Sequence, residues 1–384
     1  MKKNVILFYG GPSTEHEISC RSARFVMNHL DEDKYVCWPV AVTKNGKWLP
    51  QDLAELKSQN GETLPILSSE AFADDDLNEL LHKCPPLRPL LFPIFGFTHS
   101  ESGAIPKKSD QIYAEDVAVF STMHGTYGED GAMQGLYEIA GIAWVGPDIL
   151  GSAAAMDKVV AKQLVAAAGV PVVPWVTIQK SDWLEDRVAW TKQVGEILKY
   201  PVFVKPANLG SSVGINKVTQ AEDLAHAIDE GFLYDEKILV EAGLDVREIE
   251  YAVFGDHNPQ VTAPGEVASH GFYSYEEKYK DTSHTEVIVP AQLNESDMLK
   301  GMDYAKKVWR ALSLYGLARI DFFLTKDTAE LYFNEANTLP GFTSISQFPM
   351  LCNHHGLDGK ALINCLLDFA WQRQSKKMAL TRSL

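Results

Sequence analysis

Cysteine is scarce in this chain of 384 residues: five in all (Cys20, Cys37, Cys84, Cys352, Cys365), an odd number with no C-x-x-C pair. That excludes a disulfide framework or a thiolate zinc site and points to reduced thiols in a cytosolic protein. No apolar run approaches the ~18 residues of a membrane-spanning helix. The basic start, Met1-Lys-Lys-Asn, leads into only five apolar residues, Val5–Tyr9, before Gly10-Gly11-Pro12. This is too short for a signal-peptide core and reads as a first buried strand. Positive charge is also lacking: 35 basic against 51 acidic residues leave −16. A general nucleic-acid or membrane-surface binder is thereby excluded, though not a local basic cluster around an anionic ligand. Neither G-x-x-x-x-G-K-[ST] nor G-x-G-x-x-G occurs, which argues against a P-loop enzyme and a Rossmann oxidoreductase. The expectation is a soluble, cytoplasmic protein with no nucleic-acid or membrane partner.

What is present supports two or three domains of mixed α/β class. Residues 4–9, a Gly-Gly turn, a helix to about Leu30 and a strand at Tyr35–Val42 make a β–α–β opening, hence a doubly wound parallel sheet. Further strands are expected at Val117–Thr122 and Ala143–Val145. Near residue 150 the composition shifts to an Ala-rich helix, Ser152–Ala168, stopped by Gly169. Strands follow near Val172–Ile178, Val202–Lys205 and Ile238–Glu241, with helices near Ala221–Glu230 and Ser296–Leu314. The segment from about Glu70 to Gln111 receives no role. The end, with Arg373, Lys376, Lys377 and Arg382, reads as a basic, partly frayed helical tail.

Two carboxylates dominate the C-terminal third. Arg319-Ile-Asp321-Phe-Phe-Leu-Thr325 and Leu331-Tyr-Phe-Asn-Glu335-Ala-Asn337 flank a polar turn, a hairpin signature. A turn centred near Thr328 pairs Asp321 with Glu335, Phe323 with Phe333 and Arg319 with Asn337, all six on one face. Directly opposed like charges are unfavourable. A cation resolves that, and the all-oxygen set Asp321, Glu335 and Asn337 suits Mg²⁺; the bland alternative is a solvated outer face.

Elsewhere, Lys205-Pro-Ala-Asn-Leu-Gly210-Ser211-Ser212-Val-Gly214 follows a strand and reads as an anion cradle, or as an ordinary turn. Glu241, ending a strand, is placed to read an adenine amino edge, and Glu248 a ribose; the alternative is an edge strand with solvated glutamates. The irregular stretch Gly271–Thr282, with Lys278, resembles a lid. Gly10-Gly-Pro-Ser-Thr-Glu15 lies at the end of strand 1, where open α/β sheets bind ligands. There Glu15 can hold an ammonium or merely complement a helix dipole. His124 is placed to orient Glu15 or substrate, or simply to bond within a turn.

Taken together, the chain resembles the D-alanine–D-alanine ligases of the ATP-grasp superfamily. The resemblance rests on Gly10–Glu15, His124-Gly-Thr-Tyr-Gly-Glu-Asp-Gly131, Met156-Asp-Lys158, Lys205–Gly214, Tyr275-Glu-Glu-Lys-Tyr279, Arg319-Ile-Asp321 and Asn334–Ser346, in family order over residues 4 to about 368. It implies three domains, taken as 1–150, 151–262 and 263–384 with a lid at 270–285. It further implies that Lys158, Lys205, Ser212, Glu241, Ala242, Leu244, Glu248, Phe272, Lys278, Phe323 and Asn334 surround ATP. Asp321, Glu335 and Asn337 would hold two Mg²⁺ (or Mn²⁺) ions, with a monovalent cation as a further candidate. Glu15 would bind the ammonium of the first D-alanine in a set with Ser211 and Tyr279. Arg319 and the Gly341 N–H would face the oxyanion, Ser346 the second carboxylate, and His124 and Tyr275 the substrate. A homodimer is expected. Ser274 stands where many members carry Asp, and Ala242 where a basic residue is frequent, so an adenine contact there would be backbone only. The rival readings are D-alanine–D-serine or D-alanine–D-lactate ligation, or a silent nucleotide-binding regulator. Tyr279 is retained where lactate-using relatives replace it, and Asp321, Glu335, Asn337 and Arg319 are all present.

Overall fold

A computed structural model describes residues 2–66, 81–95, 113–269 and 285–381. Phe272, Ser274, Tyr275, Lys278 and Tyr279 of the expected lid lie outside the described residues, as does most of the stretch 70–111.

The first sheet contains β1 (Lys3–Gly10), β2 (Tyr35–Val42), β3 (Trp48–Pro50), β4 (Val117–Ser121) and β5 (Ala143–Trp144) in the order β3-β2-β1-β4-β5. β1 runs parallel to β2 and β4, and β4 to β5; β3 alone is antiparallel. Val5 to Tyr9 are all fully buried, as expected of a strand covered on both faces. The helix His16–His29 and the C-terminal helix Gly359–Met378 cover one face, where Leu7 and Phe120 share a core with Leu362 and Leu366. That C-terminal helix is therefore no frayed tail. Arg373 is buried and donates to the carbonyls of Gly146 (2.6 Å) and Trp144 (2.7 Å), its guanidinium 4.0 Å from the Trp144 ring centroid.

A second sheet has β6 (Trp175–Gln179), β7 (Val202–Pro206), β8 (Asn216–Val218) and β9 (Lys237–Ala242) in the order β6-β9-β7-β8, all antiparallel. β6 begins later than expected, at Trp175, because Pro171 and Pro174 remove ladder donors. The third sheet comprises β10 (Val246–Gly255), β11 (Gln260–Val261), β12 (Gly265–Ser269), β13 (Thr285–Ile288), β14 (Gly316–Thr325) and β15 (Leu331–Asn337). Its order is β13-β12-β10-β14-β15, with β11 beside β10. The helix Glu295–Ala311 and the pair Ile149–Met156 and Lys158–Ala167 pack on its apolar face. The single helix expected over 152–168 is broken at Asp157, whose carboxylate accepts the N–H groups of Val159 and Val160 at 3.0 Å each. That cap restarts the helix and sets Lys158 at its first position.

The β14–β15 hairpin differs from the expected register at one point. Asp321 faces Glu335 and Arg319 faces Asn337, but Phe322, not Phe323, faces Phe333. A β-bulge skips Asn334, so the alternation reverses there. Phe333 is thus turned into the core with Phe322, while Arg319, Asp321, Phe323, Tyr332, Glu335 and Asn337 keep to the other face.

Candidate active site

The uncovered face of the third sheet carries a dense charge cluster. Arg319 forks onto Asp321 with Nε–Oδ1 at 2.9 Å and Nη2–Oδ2 at 2.8 Å, and its Nε lies 3.0 Å from Glu250 Oε2. Asn337 Nδ2 donates to Asp321 Oδ2 at 2.9 Å. Lys158 reaches Glu335 at 3.8 Å and donates to the Leu209 carbonyl at 2.5 Å. Burial opposes the Arg319 charge, yet Asp321 and Glu250 more than offset it and raise the pKa. The opposed carboxylates therefore have partial relief without a metal, from Arg319 on one and Lys158 on the other.

Among the described residues no three His, Cys, Asp or Glu side chains gather as a metal cluster. The set here is two carboxylates and a carboxamide, all oxygen donors, which match a hard divalent cation. Glu250, Asp321 and Glu335 outnumber Arg319 and Lys158, so the cluster has anionic charge to spare.

Across from this face, β7, β9 and the helix Lys158–Ala167 contribute Lys205, Glu241 and Lys162 to a lysine–glutamate trio. Glu241 is 1% exposed and its two oxygens meet Lys162 and, at 2.5 Å, Lys205. Burial acts to raise the Glu241 pKa, but Lys162 and Lys205 overcome it and bring it to about 2. Burial lowers the Lys162 pKa despite Glu241, with Lys205 adding to the fall. Glu241 governs the trio, because its one carboxylate faces two ammoniums. Lys205 Nζ lies 5.7 Å from the Phe323 ring centroid, so the second and third sheets meet over these side chains. Glu248 sits between Phe323 and Val267 in the β10 register, and Leu244 is 38% exposed at the β9–β10 turn beside Ala242. The Gly210–Gly214 loop follows β7, with Ser211 (φ 53°) and Ser212 (φ 57°) consecutively left-handed. Two such non-glycine residues cost about 1–2 kcal/mol each.

The first sheet forms the third wall. A Cβ added to Gly125 would come within 3.0 Å of Glu15 Oε2, and one on Gly210 within 3.4 Å, so Glu15 lies between the His124 loop and the Ser211 loop. His124 Nδ1 meets the Leu339 carbonyl at 2.7 Å and Nε2 meets Ser22 Oγ at 3.1 Å; burial lowers its pKa. Both ring nitrogens are thus engaged with the protein. Glu129 accepts N–H groups from Gly125 (2.8 Å) and Leu339 (2.7 Å), and burial, reinforced by Glu15, pushes it up to about 7. Ser346 Oγ bonds Thr343, at 3.1 Å to its N and 2.7 Å to its Oγ1, just past Gly341.

Glu15, Lys158, Lys205, Ser211, Ser212, Glu241, Arg319, Asp321, Phe323, Glu335, Asn337 and the Gly341–Ser346 turn thus converge between three sheets. Lys162, Glu250, Glu129 and Ser22 were not anticipated. Lys162 alone left a sequence signal, a lysine on the buried stripe with Val159 and Val165.

This architecture, two sheets clasping lysines and an acidic hairpin beside a doubly wound domain, defines an ATP-grasp enzyme. The chain belongs to the D-ala D-ala ligase family: the family's N-terminal domain matches residues 4–147 and its C-terminal domain residues 164–368. A D-alanine–D-alanine ligase of Listeria monocytogenes is 39% identical over 388 residues, covering 100% of both chains. A D-alanine–D-alanine ligase A of Bradyrhizobium diazoefficiens is 41% identical, covering 99% of this chain and 98% of the relative. Among solved structures, the Coxiella burnetii D-alanine–D-alanine ligase superposes with a TM-score of 0.75 at 30% identity, covering 98% of this chain and 96% of its own. The VanG D-Ala:D-Ser ligase of Enterococcus faecalis gives 0.75 at 30% identity, covering 96% and 100%.

Proposed function

We propose that this protein joins two D-alanines into D-alanyl-D-alanine at the expense of ATP, by way of a D-alanyl phosphate, for peptidoglycan precursor synthesis. The observation that carries the reading is the meeting of Lys158, Lys205 and the Gly210–Ser212 loop with Asp321, Glu335 and Asn337 in a chain that matches its ligase relatives end to end.

The chemistry follows from these parts. A carboxylate is a poor acyl donor, so it must first accept a phosphoryl group. Bound Mg²⁺ or Mn²⁺, two ions on Asp321, Glu335 and Asn337, would neutralise phosphate charge during that transfer. Lys158 and Lys205 bring further positive charge, and backbone N–H groups of the Gly210–Ser212 loop cradle the phosphates. Because both oxygens of Glu241 are engaged by lysines, its role is to aim them, while Ala242, Leu244, Glu248 and Phe323 border the nucleoside. Glu15 holds the ammonium of the first D-alanine, next to Ser211. Arg319 and the Gly341 N–H stabilise the oxyanion formed when the second amine attacks, and Ser346 receives the second carboxylate. Tyr275, Lys278, Tyr279 and Phe272 belong to the lid that excludes water from the acyl phosphate. The domain limits 1–150, 151–262 and 263–384, a homodimer, a cytoplasmic location and a monovalent cation complete the proposal. Among the described residues no helix is long and apolar enough to cross a membrane.

The test is phosphate release from ATP and Mg²⁺: it should require D-alanine and fail with L-alanine. Release independent of D-alanine refutes the reading, and D-serine offered in competition decides the second substrate.

A further inference from the structure

We infer that Ser22, acting through His124 and flanked by Glu129, is a positioning residue that fixes the Gly341 turn from the N-terminal domain; the inference rests on the ligase reading above. Gly341 lies between two pinned points. On one side, both backbone polar groups of Leu339 are held: its N–H donates to Glu129 Oε1 at 2.7 Å and its carbonyl accepts from His124 Nδ1 at 2.7 Å. On the other, the Phe342 N–H donates to Ser22 Oγ at 3.0 Å.

The proton placement follows without ambiguity. A carbonyl only accepts, so His124 Nδ1 carries the hydrogen. In the neutral ring Nε2 is then an acceptor and takes the Ser22 hydroxyl proton at 3.1 Å, which leaves Ser22 Oγ to accept from Phe342. Each donor in this chain meets one acceptor, and reversing any link leaves two donors or two acceptors face to face. Ser22 itself is fully buried on the helix His16–His29 and touches no reacting group. His124 and Glu129 lie on the loop after β4, and Gly125 N–H closes the other side of the Glu129 carboxylate at 2.8 Å.

The consequence concerns the second half of the reaction. The turn from Thr338 to Ser346 carries the oxyanion donor and the hydroxyl that would donate to the second carboxylate, whereas Lys158, Lys205, Glu241 and the metal set Asp321, Glu335 and Asn337 belong to other elements. Loosening the pins should therefore impair ligation more than phosphoryl transfer. A misplacement of about 1 Å is enough to cost roughly 100-fold in rate.

The experiment compares the full-length wild type with Ser22→Ala, and with the near-isosteric Ser22→Cys in case the alanine variant fails to fold. Positional isotope exchange in ATP, with D-alanine and Mg²⁺, reports acyl-phosphate formation, dipeptide yield reports ligation, and amide exchange follows the Thr338–Ser346 turn. The expected result is isotope exchange close to wild type, dipeptide formation down about 10–100-fold, and faster amide exchange in the turn. Wild-type dipeptide formation, or both half-reactions falling together, overturns the inference. If the wild type shows no D-alanine-dependent turnover, the ligase reading fails instead. Amide exchange then still decides whether Ser22 pins the turn.

Discussion

Lys162 offers the sharpest test of the electrostatic account. It is 1% exposed, as is Glu241, so replacing Lys162 with Met strips one of two ammoniums from a carboxylate that has no access to water. Deleting one partner of a buried ion pair costs about 3–5 kcal/mol. Lys205 remains, which places the expected loss near the lower end, about 3 kcal/mol. For 384 residues 1 kcal/mol corresponds to about 1–2 °C, so Tm should fall about 3–6 °C. The pH dependence gives an independent check. The Glu241 pKa is about 2 in the folded protein against an ordinary value of 4.5, a drop that corresponds to roughly 3 kcal/mol. A lowered carboxylate pKa stabilises above the unfolded value and loses that contribution as pH falls through 4.5 toward 2. Removing Lys162 raises the folded pKa, so the deficit of the variant should be largest at pH 7 and shrink toward pH 3. Calorimetric melts of both proteins at the two pH values measure it. An unchanged Tm at pH 7, or a deficit that grows in acid, would refute the reasoning.

Three further outcomes are expected. Glu335→Gln removes a charge from the acidic hairpin and should abolish D-alanine-dependent phosphate release while leaving the melting curve intact; wild-type turnover would remove it from the metal set. Gly301→Ala, in the middle of a helix where alanine is ordinarily favoured by about 1 kcal/mol, should instead destabilise. The added Cβ would sit 2.1 Å from the hydroxyl of fully buried Tyr251, and overpacking costs about 1–3 kcal/mol; a rise in Tm would contradict the packing. Arg373→Met should leave the carbonyls of Trp144 and Gly146 unpaired, at about 1–3 kcal/mol. That variant should lower Tm without changing the KM for ATP or D-alanine, and a KM shift would show that the C-terminal helix reaches the site.

These tests fall on both sides of what a reading of residues alone can reach. The Asp321–Glu335 opposition followed from alternation and the short turn, because a hairpin's pairing is local and its two arms lie within a few residues of each other. The same alternation misplaced Phe333, because nothing in Leu331-Tyr-Phe-Asn-Glu marks which residue a bulge will skip; only the competing pull of the core on Phe333 and Ala336 decides it. The break at Asp157 was written in the chain as a capping aspartate ahead of Lys158-Val-Val, yet a continuous apolar period concealed it. Lys162 violated the polarity of its helix face, and such a violation has meaning only when a partner can be named. Its partner, Glu241, lies 79 positions away on another sheet. Ser22 and Phe342 are separated by 320 positions, and a serine in an amphipathic helix has no local feature that predicts a backbone partner so distant. Contacts that span domains are fixed by how the sheets dock. They are legible only in the folded chain, and it is there that the mechanism places its positioning groups.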